Sequence, residues 1–166
     1  MSLEQHVDSD RQLARLLQIG VVLEEVVEAR AHRHFNSLSV AEREAMDPAI
    51  EELLEEAVAE SATHRQQLED LIDSLDADSI PYTAVERLVE EQYGQTKPDD
   101  FDGILYDQLH GEETAYKFYD DVIELIEASD ARFKIDRDTL LETLRQIRAD
   151  EEEGVREVTA IMEQRR

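Results

Sequence analysis

Apolar residues recur at helical spacing in four long segments of this chain. The segments cover residues 8–36, 46–75, 101–128 and 137–164. Such spacing places the apolar side chains along one face of an α-helix and leaves the opposite face to charged residues. The pattern therefore predicts four long amphipathic helices and an all-α fold.

Residues that end helices lie between the first and second segments and between the third and fourth. The first two segments are separated by Ser37 and Ser39, with Pro48 nearby. The expected N-cap of the last helix is Asp136 or Asp138. Because both gaps are short, we expect each pair of helices to form an antiparallel hairpin.

The connection between the second and third segments, residues 76–100, is longer. It contains Pro81, a short helical stretch at 84–94 and the breaker-rich sequence QTKPDD at 95–100. A connection of this length can follow a whole helix and bring the third helix parallel to the second. We therefore predict a single domain over residues 1–166. It is a four-helix bundle of two antiparallel hairpins, joined by a long crossover that carries a short extra helix.

Polar or small residues interrupt each apolar line near the middle of its helix. In an antiparallel bundle these positions meet at one level, where a buried carboxylate is costly unless it is paired, protonated or bound to a cation. Several carboxylates with one imidazole suit a hard or borderline metal ion. The interrupting residues are, in chain order, Glu24, Glu28, Ser61, His64, Gln108, Glu112, Glu151 and Gly154.

Other interpretations of these residues stay open. A shift of one position would place Glu28 or Glu151 on a solvated face, and His64 taken alone is more typical of a hydrogen-bonded core histidine. Glu60 and Asp150 fall off the apolar lines, so we expect both on the solvated face. The histidines that we expect at the surface or at an edge are His32, His34 and His110.

The first and third segments share a motif. EARAHRHF at 28–35 and EETAYKFY at 112–119 both have the pattern Glu-x-x-Ala-x-x-x-aromatic, as a duplicated hairpin would leave it. With its motifs in this order and its long crossover, the chain over residues 8–164 resembles the ferritin-like superfamily, and its rubrerythrin-type branch most. That family carries a Glu on helices one and three and a Glu-x-x-His pair on helices two and four. The resemblance implies an iron or manganese centre that reacts with oxygen or peroxide.

The chain departs from the family's pattern on two helices. Helix two has Ser61-x-x-His64, with a serine for the glutamate, and helix four has Glu151-x-x-Gly154, with a glycine for the histidine. The metal ligands that the resemblance still implies are Glu28, His64, Glu112 and Glu151. With fewer ligands than the family has, they predict a site that holds one iron or manganese ion rather than two.

Two functions of different classes remain open for this chain. One is a metal-binding protein, with oxidoreductase activity on oxygen or peroxide if the ion is redox-active. The other is a degenerate ferritin-like bundle without metal that acts as a structural or interaction protein. Gly154 marks a pocket beside the ion in the first case and a site that has lost its function in the second. Glu24, one turn before Glu28, is a reserve ligand or a supporting residue.

The charge of the chain limits its partners. A net charge of −25 argues against nucleic acid and against anionic membrane surfaces, which both need clustered basic residues. Only three of the 17 basic residues are lysines. An acidic, lysine-poor surface stays hydrated in high salt, so a salt-loving source is one interpretation and an ordinary acidic cytosolic protein is the other.

The chain contains no cysteine, which excludes disulfides, thiolate metal sites and a catalytic thiol. Redox activity would therefore depend on the metal and on a separate electron donor. The start MSLEQHVDSD lacks signal-peptide features, and the longest apolar run, residues 19–23, is too short to span a bilayer. We expect a soluble, cytoplasmic protein. The resemblance also implies a homodimer, for which Leu16, Ile19 and Val27 offer an apolar patch.

Overall fold

The computed structural model describes residues 7–78, 87 and 101–165, and no β-strand occurs among them. The helices in this part of the chain are α1 (Asp10–Asn36), α2 (Val40–Ala45), α3 (Pro48–Asp73), α4 (Phe101–Ala128) and α5 (Arg137–Gln164). The predicted all-α class is confirmed for these residues. The short helix α2 lies in a gap where the pattern predicts only helix-ending residues. The predicted helix of the crossover, at 84–94, lies outside the described residues except for Arg87.

Side-chain caps mark the start of α1, α3 and α5. Ser9 at α1 and Asp47 at α3 each accept a hydrogen bond from a backbone N–H of the first turn. Asp136 accepts the backbone N–H of Thr139 at the start of α5. Each cap satisfies a donor that has no partner inside the helix. Of the two aspartates considered for the last helix, Asp136 is therefore the N-cap.

The long helices pack in two pairs, α1 with α3 and α4 with α5, and further contacts join α1 to α4 and α3 to α5. Leu13 near the start of α1 shares a core cluster with Leu71 near the end of α3, so these two helices are antiparallel. His34 near the end of α1 contacts Asp107 near the start of α4, so this pair is antiparallel as well. Helices α3 and α4 consequently run in the same direction, as a long crossover requires.

A layer of polar residues divides the hydrophobic core into two clusters. The first cluster includes Leu17, Val21, Leu68, Tyr119, Ile126 and Leu144. The second includes Ala31, Ile50, Leu54, Leu105 and Val158. Between them in every long helix lie the residues that we call the polar layer, which are Glu24, Ser61, His64, Gln108, Glu112 and Glu151, each at most 6% exposed. Apart from Glu28, which is partly exposed, the interruptions of the four apolar lines thus meet at one buried level.

Little large apolar surface is exposed in the described part of the chain, where Val40 and Tyr106 are the exposed large hydrophobic residues. Leu16 and Ile19, on the flank of α1 where a dimer patch is predicted, are partly buried and pack against the first cluster. The homodimer stays a prediction. None of the described helices combines the length and the apolar composition that a transmembrane span requires.

Candidate metal centre

The imidazole of His64 is the centre of the polar layer and faces carboxylates on both sides. Its Nδ1 lies 3.3 Å from Glu24 Oε1 and 3.2 Å from Glu151 Oε1. Its Nε2 lies 2.8 Å from Asp150 Oδ2 and 3.8 Å from Glu60 Oε1. We call Glu24, His64 and Glu151 the inner trio, and Glu60, His64 and Asp150 the outer trio. The single ring therefore belongs to two groups of side chains that are able to ligate a metal ion.

The inner trio has the geometry of a small metal site. Each of its residues offers one ligand atom, and the three atoms lie within 4.8 Å of one another. The side chains of Glu24, His64 and Glu151 are 2%, 1% and 7% exposed. Two carboxylate oxygens and one imidazole nitrogen suit Mn²⁺, Fe²⁺ and Zn²⁺. The residues present thus fit a divalent ion, and the trio can hold one.

Two neighbours orient the inner trio. The Tyr119 hydroxyl donates a hydrogen bond of 2.6 Å to Glu24 Oε1. Burial first, and then the charge of Glu24, raises the pKa of Tyr119 well above its ordinary value, so the phenol stays protonated and remains a donor. Asp150 Oδ2 lies 2.8 Å from His64 Nε2. When Nε2–H of the neutral ring donates to it, the lone pair on Nδ1 is directed at Glu24 and Glu151. A metal-ligating histidine is usually held by such a carboxylate on its other nitrogen.

Gly154 makes room for the carboxylate of Glu112. A Cβ atom at position 154 would lie 2.6 Å from Glu112 Oε2 and 2.7 Å from its Cδ, closer than real side chains approach. The carboxylate is fixed there by Gln108 Nε2, which donates to Glu112 Oε1 at 3.0 Å, and by a hydrogen bond with Glu151. The space that the missing side chain leaves is therefore filled by Glu112.

The polar layer carries more negative than positive charge. Glu24, Glu112 and Glu151 are buried, and no lysine or arginine of the described residues forms an ion pair with them. Burial raises the pKa of Glu112, and it raises that of Glu151 well above the ordinary value, together with the hydrogen bond between the two carboxyl groups. Carboxylates in this position must hold protons or bind a cation.

The pKa values of His64 and Glu60 are also raised. Burial alone would lower the pKa of His64, but the hydrogen bond to Glu24, the charge of Glu24 and the hydrogen bond to Asp150 outweigh it and raise this pKa to about 9. Burial, with the nearby charge of Glu112, raises the pKa of Glu60 to about 7. Without a cation, the site therefore retains protons near neutral pH.

The structure brings together some of the four ligands that the sequence predicts and separates the others. His64 and Glu151 meet in the inner trio. Glu112 lies beside Glu151 in the polar layer and outside the trio. Glu28 is partly exposed, and its Oε2 accepts a 2.6 Å hydrogen bond from Arg65 Nη1. Glu24 is the α1 carboxylate that faces His64.

Sequence reasoning missed the outer trio. Glu60 and Asp150 are 35% and 36% exposed, as expected for residues off the apolar lines, but both face His64 Nε2. A signal was present, because Glu60 is one turn before His64 and Asp150 directly precedes Glu151. Both spacings place an acid next to a core position.

His34 was predicted at the surface or at an edge of the bundle, and the surface position is wrong. His34 is 3% exposed, and its Nε2 lies 2.9 Å from Asp107 Oδ2 between α1 and α4. The helix is covered by α4 at this point, so its apolar line is wider than the repeat of aliphatic residues indicates. His32 and His110 are exposed, as predicted.

Comparisons of the chain with protein-family models, with curated proteins and with solved structures found no match. The geometry of the polar layer is accordingly the main observation that bears on function.

Proposed function

We propose that this chain is a ferritin-like, rubrerythrin-related four-helix bundle that binds one iron or manganese ion at its centre. The observation that carries the proposal is the inner trio, with three ligand atoms within 4.8 Å of one another at a buried level. The packing of α1 with α3 and of α4 with α5, and the parallel course of α3 and α4, agree with such a bundle. So does the order of the acidic and histidine motifs along the chain.

The proposed ligands are Glu24 and Glu151 through oxygen and His64 through Nδ1. Two carboxylates neutralise the charge of a divalent ion, which removes the cost of burying them. Tyr119 and Asp150 hold Glu24 and His64 in place. When bound, iron or manganese supplies one-electron chemistry toward oxygen or peroxide, and a separate reductant would restore it.

One ion is proposed rather than two. By the resemblance, the second ion of a di-iron centre would take ligands at positions 61 and 154, where Ser61 and Gly154 offer neither a carboxylate nor an imidazole. The carboxylate of Glu112 fills the space beside Gly154. Glu28, the other acid on this face of α1, is paired with Arg65.

The second candidate is a bundle that holds no metal and acts as a structural or interaction protein. One observation favours it. Every buried side-chain nitrogen or oxygen atom among the described residues has a hydrogen-bond partner without any ion. Protons on His64 and Glu151 would then balance the charge of the polar layer.

Metal loading separates the two candidates. Protein freed of metal with a chelator is incubated with Mn²⁺, or with Fe²⁺ under anaerobic conditions, and bound metal is measured by elemental analysis and calorimetry. We expect one ion per chain. Glu24→Gln and His64→Gln should each weaken binding by more than the about 10–100-fold loss that follows removal of a supporting residue.

Glu28→Gln is the matched control, because it makes the same change one turn away on α1. It should leave the affinity unchanged, since Glu28 faces Arg65. No bound metal in the wild-type protein would overturn the proposal and support the metal-free candidate. Consumption of oxygen or peroxide by the loaded protein then distinguishes an oxidoreductase from a binding protein.

A further inference from the structure

The outer trio is a second group of metal-ligating atoms that opens toward solvent. Glu60 Oε1, His64 Nε2 and Asp150 Oδ2 lie within 4.8 Å of one another. The side chains of Glu60 and Asp150 are 35% and 36% exposed, whereas that of His64 is 1% exposed. The group therefore begins at the surface, where α3 and α5 meet, and ends at the buried ring.

Compared with the outer trio, the inner trio is shielded from solvent. Its carboxylates, Glu24 and Glu151, are 2% and 7% exposed, so a hydrated cation cannot reach them directly from solvent. Among the described residues, Glu60 and Asp150 are the partly exposed carboxylates that contact the same imidazole. They lie on the opposite side of the ring from the inner carboxylates. A cation held between them is separated from the inner trio by the thickness of one side chain.

We propose that the outer trio is the entry site through which a divalent cation reaches the inner trio. The inference rests on the proposed function, because it assumes that the inner trio binds the ion. Oxygen ligands at partial exposure let the ion keep several of its waters, as Mn²⁺ or Mg²⁺ prefers. His64 Nε2 then replaces one water and begins the dehydration that the inner trio completes.

One imidazole serves both positions, so the two trios are filled in turn. In the neutral ring one nitrogen carries the proton and the other offers the lone pair. An ion at the outer trio takes the lone pair of Nε2, and Nδ1–H donates to Glu24 or Glu151. An ion at the inner trio takes the lone pair of Nδ1, and Nε2–H donates to Asp150. Transfer of the ion thus moves one proton from Nδ1 to Nε2, and the two trios together hold one ion at saturation.

The test is the rate of metal loading in a variant that changes only the outer carboxylates. Metal-free protein is mixed with Co²⁺ in a stopped-flow instrument, and its visible absorption reports binding to the nitrogen and oxygen ligands. We expect Glu60→Gln to slow loading by about tenfold, because a cleft of one charge sign raises the rate of cation arrival by this order. The final amount of bound Co²⁺ should stay at one ion per chain.

Glu56→Gln is the matched control. Glu56 lies one turn before Glu60 on α3, is exposed and loses the same charge. At physiological ionic strength its loading rate should change by less than about twofold, since Glu56 is exposed, is screened by salt and is not among the carboxylates that contact His64. Asp150→Asn should slow loading and also weaken the final affinity, because Asp150 both receives the ion and orients His64.

The outcomes separate this inference from the function on which it rests. Equal loading rates for wild-type protein, Glu60→Gln and Glu56→Gln, with one ion bound, would overturn the entry site and leave the metal-binding function standing. Two Co²⁺ ions per chain at saturation, both lost in His64→Gln, would overturn the alternation at His64. Absence of Co²⁺, Mn²⁺ and Fe²⁺ binding in the wild type would overturn both proposals.

Discussion

His64 and His34 are both buried histidines that face carboxylates across a helix interface, but the charge around them differs. His34 Nε2 lies 2.9 Å from Asp107 Oδ2, and Arg30 Nη1 lies 3.7 Å from the other oxygen of that carboxylate. The acid at this position therefore faces a cation. His64 faces four carboxylates, and the buried ones form no ion pair with a lysine or arginine of the described chain.

The comparison shows that burial of a histidine beside an acid does not by itself indicate a metal site. Around His34 the positive charge of Arg30 balances Asp107, so the cluster is stable without any bound ion. Around His64 the negative charge exceeds what one imidazolium can balance. The difference in net charge, rather than burial, distinguishes a structural cluster from a candidate metal centre.

The largest stability effect should come from breaking the balanced cluster. Asp107→Asn should lower the free energy of unfolding by about 2 kcal/mol, because the amide loses the charge-assisted hydrogen bond to His34 and the attraction to Arg30. Urea denaturation measures this loss. Calorimetric titration of the same variant with Mn²⁺ should show wild-type affinity. A clear fall in affinity would contradict the separation of the two clusters.

A smaller effect should follow from adding one methyl group to the polar layer. Gly154→Ala should lower the free energy of unfolding by about 1 kcal/mol, because displacing the Glu112 carboxylate costs more than the gain in helix propensity. Combined with Glu112→Ala, the same substitution should become stabilising in urea denaturation.

Gly111→Ala is the control for helix propensity. Among the described residues, a Cβ at position 111 would meet only Val27 Cγ2, at an ordinary 3.6 Å, so this substitution should stabilise the protein by about 1 kcal/mol. Equal effects of Gly154→Ala and Gly111→Ala would show that the Glu112 carboxylate does not require the glycine.

The most gradual effect should be the pH dependence of the metal-free protein. The pKa of His64 is raised from 6.5 to about 9, so its contribution to stability is complete below pH 6.5 and is lost as pH rises toward 9. The pKa of Glu60 is raised from 4.5 to about 7, so its contribution is lost between these values. Both groups make the folded state less stable as pH increases.

Bound metal should reverse the pH dependence of stability. Because the ion competes with the protons of the site, Mn²⁺ affinity should rise with pH and binding should release protons. Urea denaturation between about pH 5 and about pH 9, with and without Mn²⁺, measures both trends. In His64→Gln the loss of stability between pH 6.5 and about 9 should disappear. A wild-type profile that is flat over this range would argue against a protonated His64.

Local features of the structure could be predicted from the sequence with good accuracy. The four long helices begin and end within two residues of the predicted segments, because apolar periodicity and capping act over a few neighbouring residues. The level at which Glu24, His64 and Glu151 meet could be predicted too, since mid-helix positions of antiparallel helices converge. The small helix α2 was less accessible, because its capping box of Ser39 and Glu42 lies in a gap without apolar periodicity.

Contacts between helices could not be predicted in the same way. The burial of His34 depends on Asp107 of α4, and the outer trio depends on the closeness of α3 to α5. Such pairs join residues far apart in the chain. The apolar periodicity of one helix does not indicate which residues of another helix pack against it.

The sequence by itself determined the four helices, their direction along the chain and the polar level at their middle, because these follow from short-range spacing. Only the tertiary structure decided that Glu24 faces His64. Glu24 and Glu28 lie one turn apart on the same face of α1, and Arg65 of α3 holds Glu28 aside. The tertiary structure also decided the role of Gly154, because the carboxylate that requires the glycine comes from another helix.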